Sequence, residues 1–180
     1  MYQPSELSLW LLGAGGLATL ASLLLTRRRR RRKAPTQTGD GPGLPQGCVI
    51  PFLVQEEKVQ VCLISLSNQS GWGFPKGMVD APETVAAAGL RESFEEAGIR
   101  GSIVGAPLGE YSYVKRDVKL VVTVFLMRVT AVEDHWPEKR VRQRQFCSPS
   151  QARTLVATAE QRQLLDVAVA RLAELKLASD

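Results

Sequence analysis

Three glutamates at helical spacing are the part of the sequence best suited to chemistry. Glu92, Glu95 and Glu96 stand at positions i, i+3 and i+4, so a helix would place them on one face. Carboxylates this close repel one another, and a divalent cation removes the conflict. Oxygen ligands without His or Cys nearby favour Mg²⁺ or Mn²⁺ over zinc. The alternative is a solvated acidic face stabilised by Arg91, and the three glutamates taken alone favour that alternative.

Several basic side chains are suited to bind the phosphates of a substrate that shares such a metal ion. We expect this role for five of them: Lys76, Lys115, Arg116, Arg142 and Arg144. Arg142 and Arg144 alternate with Arg140, so an extended strand would place all three on one face. The alternative for all of these basic residues is a solvated surface position. For two further basic residues, Lys119 and Arg140, we favour that alternative.

The glutamates lie in a segment whose flanks predict a helix. Pro82 precedes and Gly98 follows a periodic stretch, which indicates a helix over Thr84–Ala97. The face opposite the glutamates carries Leu90 and Phe94 and is predicted to pack into a core.

Segments rich in Val, Ile and Leu predict a sheet around this helix. Cys48–Val54 and Val59–Leu66 are separated by a charged break and indicate a β-hairpin. The remaining elements are predicted to be a loop over Ser67–Gly73, strands over Ile103–Val104, Glu110–Val114, Lys119–Val132 and Gln143–Cys147, and helices over Pro149–Val156 and Glu160–Leu177. This order of elements predicts an α/β sandwich with a mixed sheet.

The glutamates also belong to a longer motif. Residues 77–99 read GMVDAPETVAAAGLRESFEEAGI, which resembles the signature of the Nudix hydrolases, G-x5-E-x7-R-E-U-x-E-E-x-G-U, where U is a bulky aliphatic residue. The positions in register are Gly77, Glu83, Arg91, Glu92, Glu95, Glu96, Gly98 and Ile99. Ser93 departs from the pattern, because it stands where an aliphatic residue packs the helix against the sheet. A motif of this length is far more specific than the glutamates alone and favours the metal site over the solvated face.

The stretch before the motif resembles one branch of the Nudix hydrolases in particular. Residues 71–77 read GWGFPKG, which is similar to the W-x-F-P-K-G lead-in of members that act on diadenosine polyphosphates and diphosphoinositol polyphosphates. The likeness extends over about residues 46–175. It implies the Nudix α/β/α sandwich with a mixed sheet and the hydrolysis of a phosphoanhydride bond.

The resemblance also implies roles for the matched residues. The implied ligands of Mg²⁺ or Mn²⁺ are Glu92, Glu95, Glu96 and the backbone carbonyl of Gly77. Glu92 or Glu95 is implied to deprotonate or orient the attacking water. Arg91 is implied to orient Glu95, and Glu83 to support the loop before the helix. Gln145 stands where close relatives often carry a further glutamate, so candidates for a fourth acidic ligand are Glu110, Glu133 and Glu138.

The function implied is Mg²⁺-dependent hydrolysis of a nucleoside-diphosphate-linked or highly phosphorylated small molecule. A diadenosine polyphosphate or diphosphoinositol polyphosphate is favoured as the substrate, with a nucleoside triphosphate or ADP-ribose as alternatives. The alternative function is a Nudix-fold sensor that binds a phosphorylated ligand without hydrolysing it. The complete set of glutamates favours the enzyme.

Composition and charge exclude several other classes of protein. The chain has 180 residues, 44% of them hydrophobic and 23% charged, which excludes a fully disordered chain. Its three cysteines form no CxxC pair, which argues against a disulfide framework or a structural zinc site. The net charge of +5 comes from Arg27–Arg32 and Lys33, since residues 44–180 carry 16 basic and 16 acidic side chains. The folded domain is therefore not expected to bind nucleic acid.

The N-terminal segment is interpreted as a membrane anchor. Leu7–Leu25 contains 19 residues and no charge, which corresponds to a helix of about 28 Å, close to the hydrocarbon thickness of a bilayer. The basic residues follow the apolar run, so we expect a single-pass protein (residues 1–33) with its C-terminal domain in the cytoplasm. The alternative is a cleaved signal or transit peptide. Residues 34–47 are rich in Pro and Gly and are interpreted as a flexible linker, followed by the Nudix domain over residues 48–177.

Overall fold

The computed structural model describes residues 42–67 and 70–177. The strands are β1 (Leu44–Gln55), β2 (Lys58–Ser65), β3 (Trp72–Gly73), β4 (Lys76–Met78), β5 (Ile99–Ile103), β6 (Gly109–Lys115), β7 (Val118–Val132) and β8 (Arg144–Cys147). The helices are α1 (Val85–Ala97), α2 (Pro149–Leu155) and α3 (Ala159–Leu177).

The strands form one mixed sheet in which β1 and β7 are the central parallel pair. The order along the sheet is β3-β2-β1-β7-β5, while β4 pairs with β1, β6 with β7 and β8 with β2. All of these other pairings are antiparallel. The predicted mixed sheet is therefore confirmed.

The predicted hairpin is present but begins earlier than expected. β1 and β2 are joined by Glu56 and Glu57, whose φ angles of 49° and 59° are typical of a two-residue hairpin turn. Residues 44–47, interpreted from their Pro and Gly content as the end of a linker, instead pair with β7 on one side, and residues 46–48 pair with β4 on the other. Pairing with two other strands therefore holds this segment in the sheet despite its Pro and Gly content.

Helices cover both faces of the sheet. Successive β1 residues point to opposite sides, so Val49 packs in the core beneath α1, whereas Ile50 packs in the core that contains Leu164 and Ala168 of α3. Two cores on either side of one sheet make an α/β/α sandwich, as predicted.

The helix α1 begins and ends close to the predicted positions, but its buried face differs. Thr84 caps its N-terminus and Gly98, with φ of 64°, its C-terminus. Leu90 and Phe94 are only partly buried. The buried residues of α1 are Ala88, Gly89, Ser93, Glu96 and Ala97. The predicted packing of Leu90 into a core is confirmed. The acidic face is not separate from the buried one, however, because Glu96 is itself buried on the sheet side of the helix.

A second difference concerns the three alternating arginines. β8 begins at Arg144, whereas Arg140 and Arg142 lie before it, at the turn where Arg142 N–H donates to Glu138 O at 2.8 Å. The predicted strand face shared by all three arginines is therefore wrong.

The predicted membrane anchor lies outside the described residues. Within residues 42–67 and 70–177, no helix is both long and apolar enough to span a bilayer.

Candidate active site

Two glycines allow α1 to lie directly against the sheet. A Cβ on Gly47 of β1 would lie 2.0 Å from the carbonyl oxygen of Val85. A Cβ on Gly77 of β4 would lie 1.9 Å from Glu92 Oε1. The two glycines are paired across β1 and β4. Their lack of side chains therefore brings the Glu92 carboxylate against the backbone of β4.

Arg91 connects the acidic side chains along α1. Its Nη1 donates to Glu92 Oε1 at 2.7 Å and to Glu95 Oε2 at 3.0 Å. Its Nη2 donates at 2.9 Å to Glu83, whose Oε1 also accepts the Asp80 N–H at 2.7 Å. The predicted pairing of Arg91 with Glu95 is confirmed, and Glu83 holds the loop before α1.

Glu96 is the most deeply buried of the three glutamates, with a side chain 7% exposed. Its Oε2 accepts the Lys76 N–H at 3.1 Å, and its Oε1 accepts Arg142 Nη2 at 2.5 Å. Burial outweighs both contacts and raises the pKa of Glu96 to about 7. Burial also raises the pKa of Glu92, despite its contact with Arg91. The carboxylate cluster of Glu92, Glu95 and Glu96 therefore favours an additional cation at neutral pH.

Arg142 joins the segment before β8 to this cluster. Besides Glu96, its guanidinium donates to the carbonyl oxygen of Ser65 at 2.8 Å and to Glu138 at 3.1 Å. The Glu138 N–H donates to Glu95 O at 3.0 Å, and the Glu138 charge contributes to the raised pKa values of Glu92 and Glu96. Glu138 is thus a fourth acidic residue at the site. Sequence spacing does not reveal this position, because the contact depends on how the turn before β8 folds back onto α1.

Lys76 contacts the cluster only through its backbone. Its side chain belongs to the other face of the sheet, where Nζ donates to the Tyr113 hydroxyl at 3.0 Å. That hydroxyl in turn donates to Gln46 at 2.9 Å. Within the described residues, no carboxylate lies within 4.0 Å of the ammonium group. A half-buried cation with a neutral partner is suited to bind an anion.

Two other predicted phosphate-binding residues, Lys115 and Arg116, are not brought to the carboxylate cluster. Lys115 and Arg116 lie at the tip of the β6–β7 hairpin, where Lys115 pairs with Val118. Gly47 pairs with Thr123, five residues further along β7, which corresponds to about 17 Å at about 3.3 Å per residue.

Arg144 lies at the C-terminal end of α1 and not at the carboxylate cluster. Its Nη1 donates to the carbonyl oxygens of Ala97 and Glu133 at 2.8 and 2.7 Å, and Trp136 covers the guanidinium at 4.4 Å. A cation at this position satisfies carbonyls at the C-terminus of α1 and interacts favourably with the helix dipole. Arg144 therefore holds the end of the helix that carries the glutamates.

The donor chemistry of the cluster fits a hard divalent cation. Carboxylate oxygens and the Gly77 carbonyl are the ligand types that Mg²⁺ and Mn²⁺ prefer, and the space that a Cβ on Gly77 would fill is occupied by the Glu92 carboxylate. Among the described residues, no three His, Cys, Asp or Glu side chains already converge as a metal site. The carboxylates are held by Arg91 and Arg142 instead, so metal binding requires them to exchange guanidinium donors for the ion.

Comparison with known proteins identifies the family. The NUDIX domain model matches residues 44–167. The chain belongs to the Nudix family. Among Nudix relatives, Nudix hydrolase 4 of Arabidopsis thaliana is 33% identical over 102 residues, which cover 56% of this chain and 49% of that protein. Diphosphoinositol polyphosphate phosphohydrolase 3-beta of Bos taurus is 30% identical over 104 residues, covering 57% and 62%. The chain thus spans about half to two thirds of the length of the curated relatives it matches.

Solved structures show the same fold. The crystal structure of C. elegans Ap4A hydrolase superimposes with a TM-score of 0.61 and 21% identity, covering 73% of this chain and 99% of that one. The Nudix fold predicted from the sequence is therefore confirmed.

Proposed function

We propose that this chain hydrolyses a phosphoanhydride bond, with Mg²⁺ or Mn²⁺ held by Glu92, Glu95, Glu96 and the Gly77 carbonyl. The observation that carries the proposal is the burial of Glu96 beside Glu92, which raises the pKa values of both carboxyl groups. Such an arrangement costs stability unless a cation neutralises it. The match of residues 44–167 to the NUDIX domain supports the same conclusion.

The residues around the cluster would divide the chemistry between them. The bound ion would supply an activated water and neutralise charge on the phosphoanhydride oxygens. Glu95 is the most accessible of the three carboxylates, with a side chain 40% exposed compared with 15% for Glu92. Glu95 is therefore better placed than Glu92 to orient a water molecule, and Arg91 keeps it in position.

A highly phosphorylated substrate is favoured. The lead-in sequence GWGFPKG supports a diadenosine polyphosphate or diphosphoinositol polyphosphate, as does the likeness to a diphosphoinositol polyphosphate phosphohydrolase.

Turnover by the purified full chain tests the proposal. Release of phosphate or mononucleotide is measured with Mg²⁺ for diadenosine polyphosphates, diphosphoinositol polyphosphates, nucleoside triphosphates and ADP-ribose. We expect turnover of a member of this panel, and its loss in Glu96→Gln but not in the exposed control Glu56→Gln. Unchanged turnover in Glu96→Gln would contradict the proposed site. Tight binding without hydrolysis would indicate a sensor instead.

We further propose that residues 1–33 anchor the protein in a membrane with the Nudix domain on the cytoplasmic side. Support comes from the uncharged run Leu7–Leu25 and the basic block that follows it. Alkaline carbonate extraction and protease protection of the full chain in cells test this topology. Release by carbonate, or protection of the domain inside a compartment, would contradict it.

A further inference from the structure

A polar pocket lies beside the carboxylate cluster. Its volume is about 340 Å³, and the lining residues that matter here are Ser65, Trp72, Lys139, Arg140, Arg142 and Gln143. Arg142 belongs to both places, because it lines the pocket while its Nη2 bonds Glu96. The pocket and the cluster therefore share the Arg142 side chain.

The pocket wall carries an excess of positive charge. Three of its lining residues are cations, and none is acidic. Lys139 Nζ donates to the backbone carbonyl of Asp134 and lies 5.3 Å from the Trp136 ring. Within the described residues, neither Lys139 nor Arg140 has a carboxylate within 4.0 Å. These two side chains keep their charges available for an anion.

The rest of the wall adds hydrogen-bonding groups and an aromatic ring. Ser65 Oγ accepts the Gln143 N–H at 2.9 Å, so its own hydroxyl proton remains a donor. Trp72 is held in place because its carbonyl accepts the Ala157 N–H at 3.0 Å. A cationic wall with a hydroxyl donor suits phosphate oxygens. The volume lies at the lower end of the range for small-ligand pockets, about 300–1,000 Å³, which suits a short chain of phosphates.

We propose that this pocket is a subsite for the phosphate groups of the substrate that lie beyond the scissile bond. The proposal rests on the proposed function and deepens it by naming the direction in which a phosphate chain extends from the cluster. Arg142 links the two places, while Lys139 and Arg140 hold the distal phosphates. Arg140, interpreted from the sequence as solvated surface, is thereby assigned to substrate binding.

Binding of inorganic tripolyphosphate tests the subsite without requiring catalysis. Isothermal titration calorimetry of the full chain, without divalent metal and at fixed ionic strength, compares the wild type with Lys139→Gln/Arg140→Gln. The matched control is Lys58→Gln/Arg128→Gln, which also removes one lysine and one arginine charge, from the start of β2 and from β7, two strands away from β2. We expect about tenfold weaker binding in the pocket variant only, from the loss of two charge-assisted contacts. Equal affinities in the two variants would overturn the proposal.

A second variant separates binding from folding. Lys139 also bonds Asp134 O, so its replacement can disturb the turn. Arg140 forms no ion pair with a described carboxylate that Arg140→Gln would break. We expect the single variant to weaken tripolyphosphate binding with an unchanged thermal unfolding temperature. Unchanged affinity of Arg140→Gln would contradict its assigned role.

Kinetics distinguish failure of the subsite from failure of the proposed function. For a substrate with several phosphates, we expect Lys139→Gln/Arg140→Gln to raise KM with little change in kcat, and to leave ADP-ribose hydrolysis unchanged. An equal effect on both substrates would overturn the subsite while leaving the hydrolase intact. Tripolyphosphate binding that depends on Arg140, without turnover of any substrate, would support the subsite and refute the hydrolase.

Discussion

Replacing Glu96 by glutamine is expected to abolish activity while stabilising the metal-free domain. The carboxylate is buried against the sheet and is close to Glu92 and Glu138. An amide keeps an oxygen that can accept the Lys76 N–H, but it carries no charge to desolvate. The substitution thus separates the need for a metal ligand from the need for a stable fold.

The magnitude follows from the pKa of Glu96, which burial raises from its ordinary value of 4.5 to about 7. Between these pH values the folded state holds a proton that the unfolded chain releases, so stability falls as the pH rises through this window. At about 1.4 kcal/mol per pH unit, the full penalty above pH 7 is about 3 kcal/mol. The pKa of about 7 already includes the contact with Arg142, so an uncharged amide recovers up to this full penalty. We therefore expect the free energy of unfolding of Glu96→Gln at pH 8 to exceed that of the wild type by about 1–3 kcal/mol.

Urea unfolding at pH 5 and pH 8, in chelator and then in Mg²⁺, measures these differences. In chelator the advantage of Glu96→Gln should be present at pH 8 and should shrink at pH 5, where the wild-type carboxyl group is protonated. Saturating Mg²⁺ should stabilise the wild type and not the variant. Glu56→Gln, in the exposed β1–β2 turn, is the matched control. A less stable Glu96→Gln at pH 8 would show that the Arg142 ion pair outweighs burial, and would refute the reasoning.

Three further substitutions test how the site is held together. Ser93→Ala removes a buried hydroxyl that donates to Ile99 O at 3.0 Å. We expect the free energy of unfolding, measured in urea titrations, to fall by about 1 kcal/mol. An unchanged value would show that the bond contributes nothing. Arg144→Gln removes a charged donor from the carbonyls that end α1. We expect the free energy of unfolding to fall by about 1–3 kcal/mol and the Mg²⁺ concentration for half-maximal thermal stabilisation to rise. A normal Mg²⁺ response would limit the role of Arg144 to stability. Arg91→Lys keeps the charge but cannot bind several carboxylates at once. Because Glu95 then loses its position, we expect kcat to fall about tenfold with KM little changed. A change confined to KM would assign Arg91 to substrate binding instead.

Helix boundaries and the identity of the acidic residues could be predicted from the sequence because both depend on local chemistry. Thr84 and Gly98 bound α1 through capping interactions that extend over only a few residues. Glu92 and Glu95 lie close to Arg91 because helical spacing requires it. The signature motif also indicated the fold, since its length makes chance agreement rare.

The partners of these residues were decided by tertiary structure. Arg142 reaches Glu96 across 46 positions of sequence, and Arg144, two residues later, turns to the end of α1 instead. No periodicity distinguishes these two arginines, because their directions depend on where the turn before β8 leaves the backbone. Ser93 shows the same limit: the motif favours an aliphatic residue there, and the fold satisfies the buried hydroxyl with backbone carbonyls. The sequence by itself thus determined which glutamates lie close together and on which helix they stand. Only the packing of α1 on the sheet decided which carboxylate is buried, because burial depends on contacts between segments that are distant in the chain.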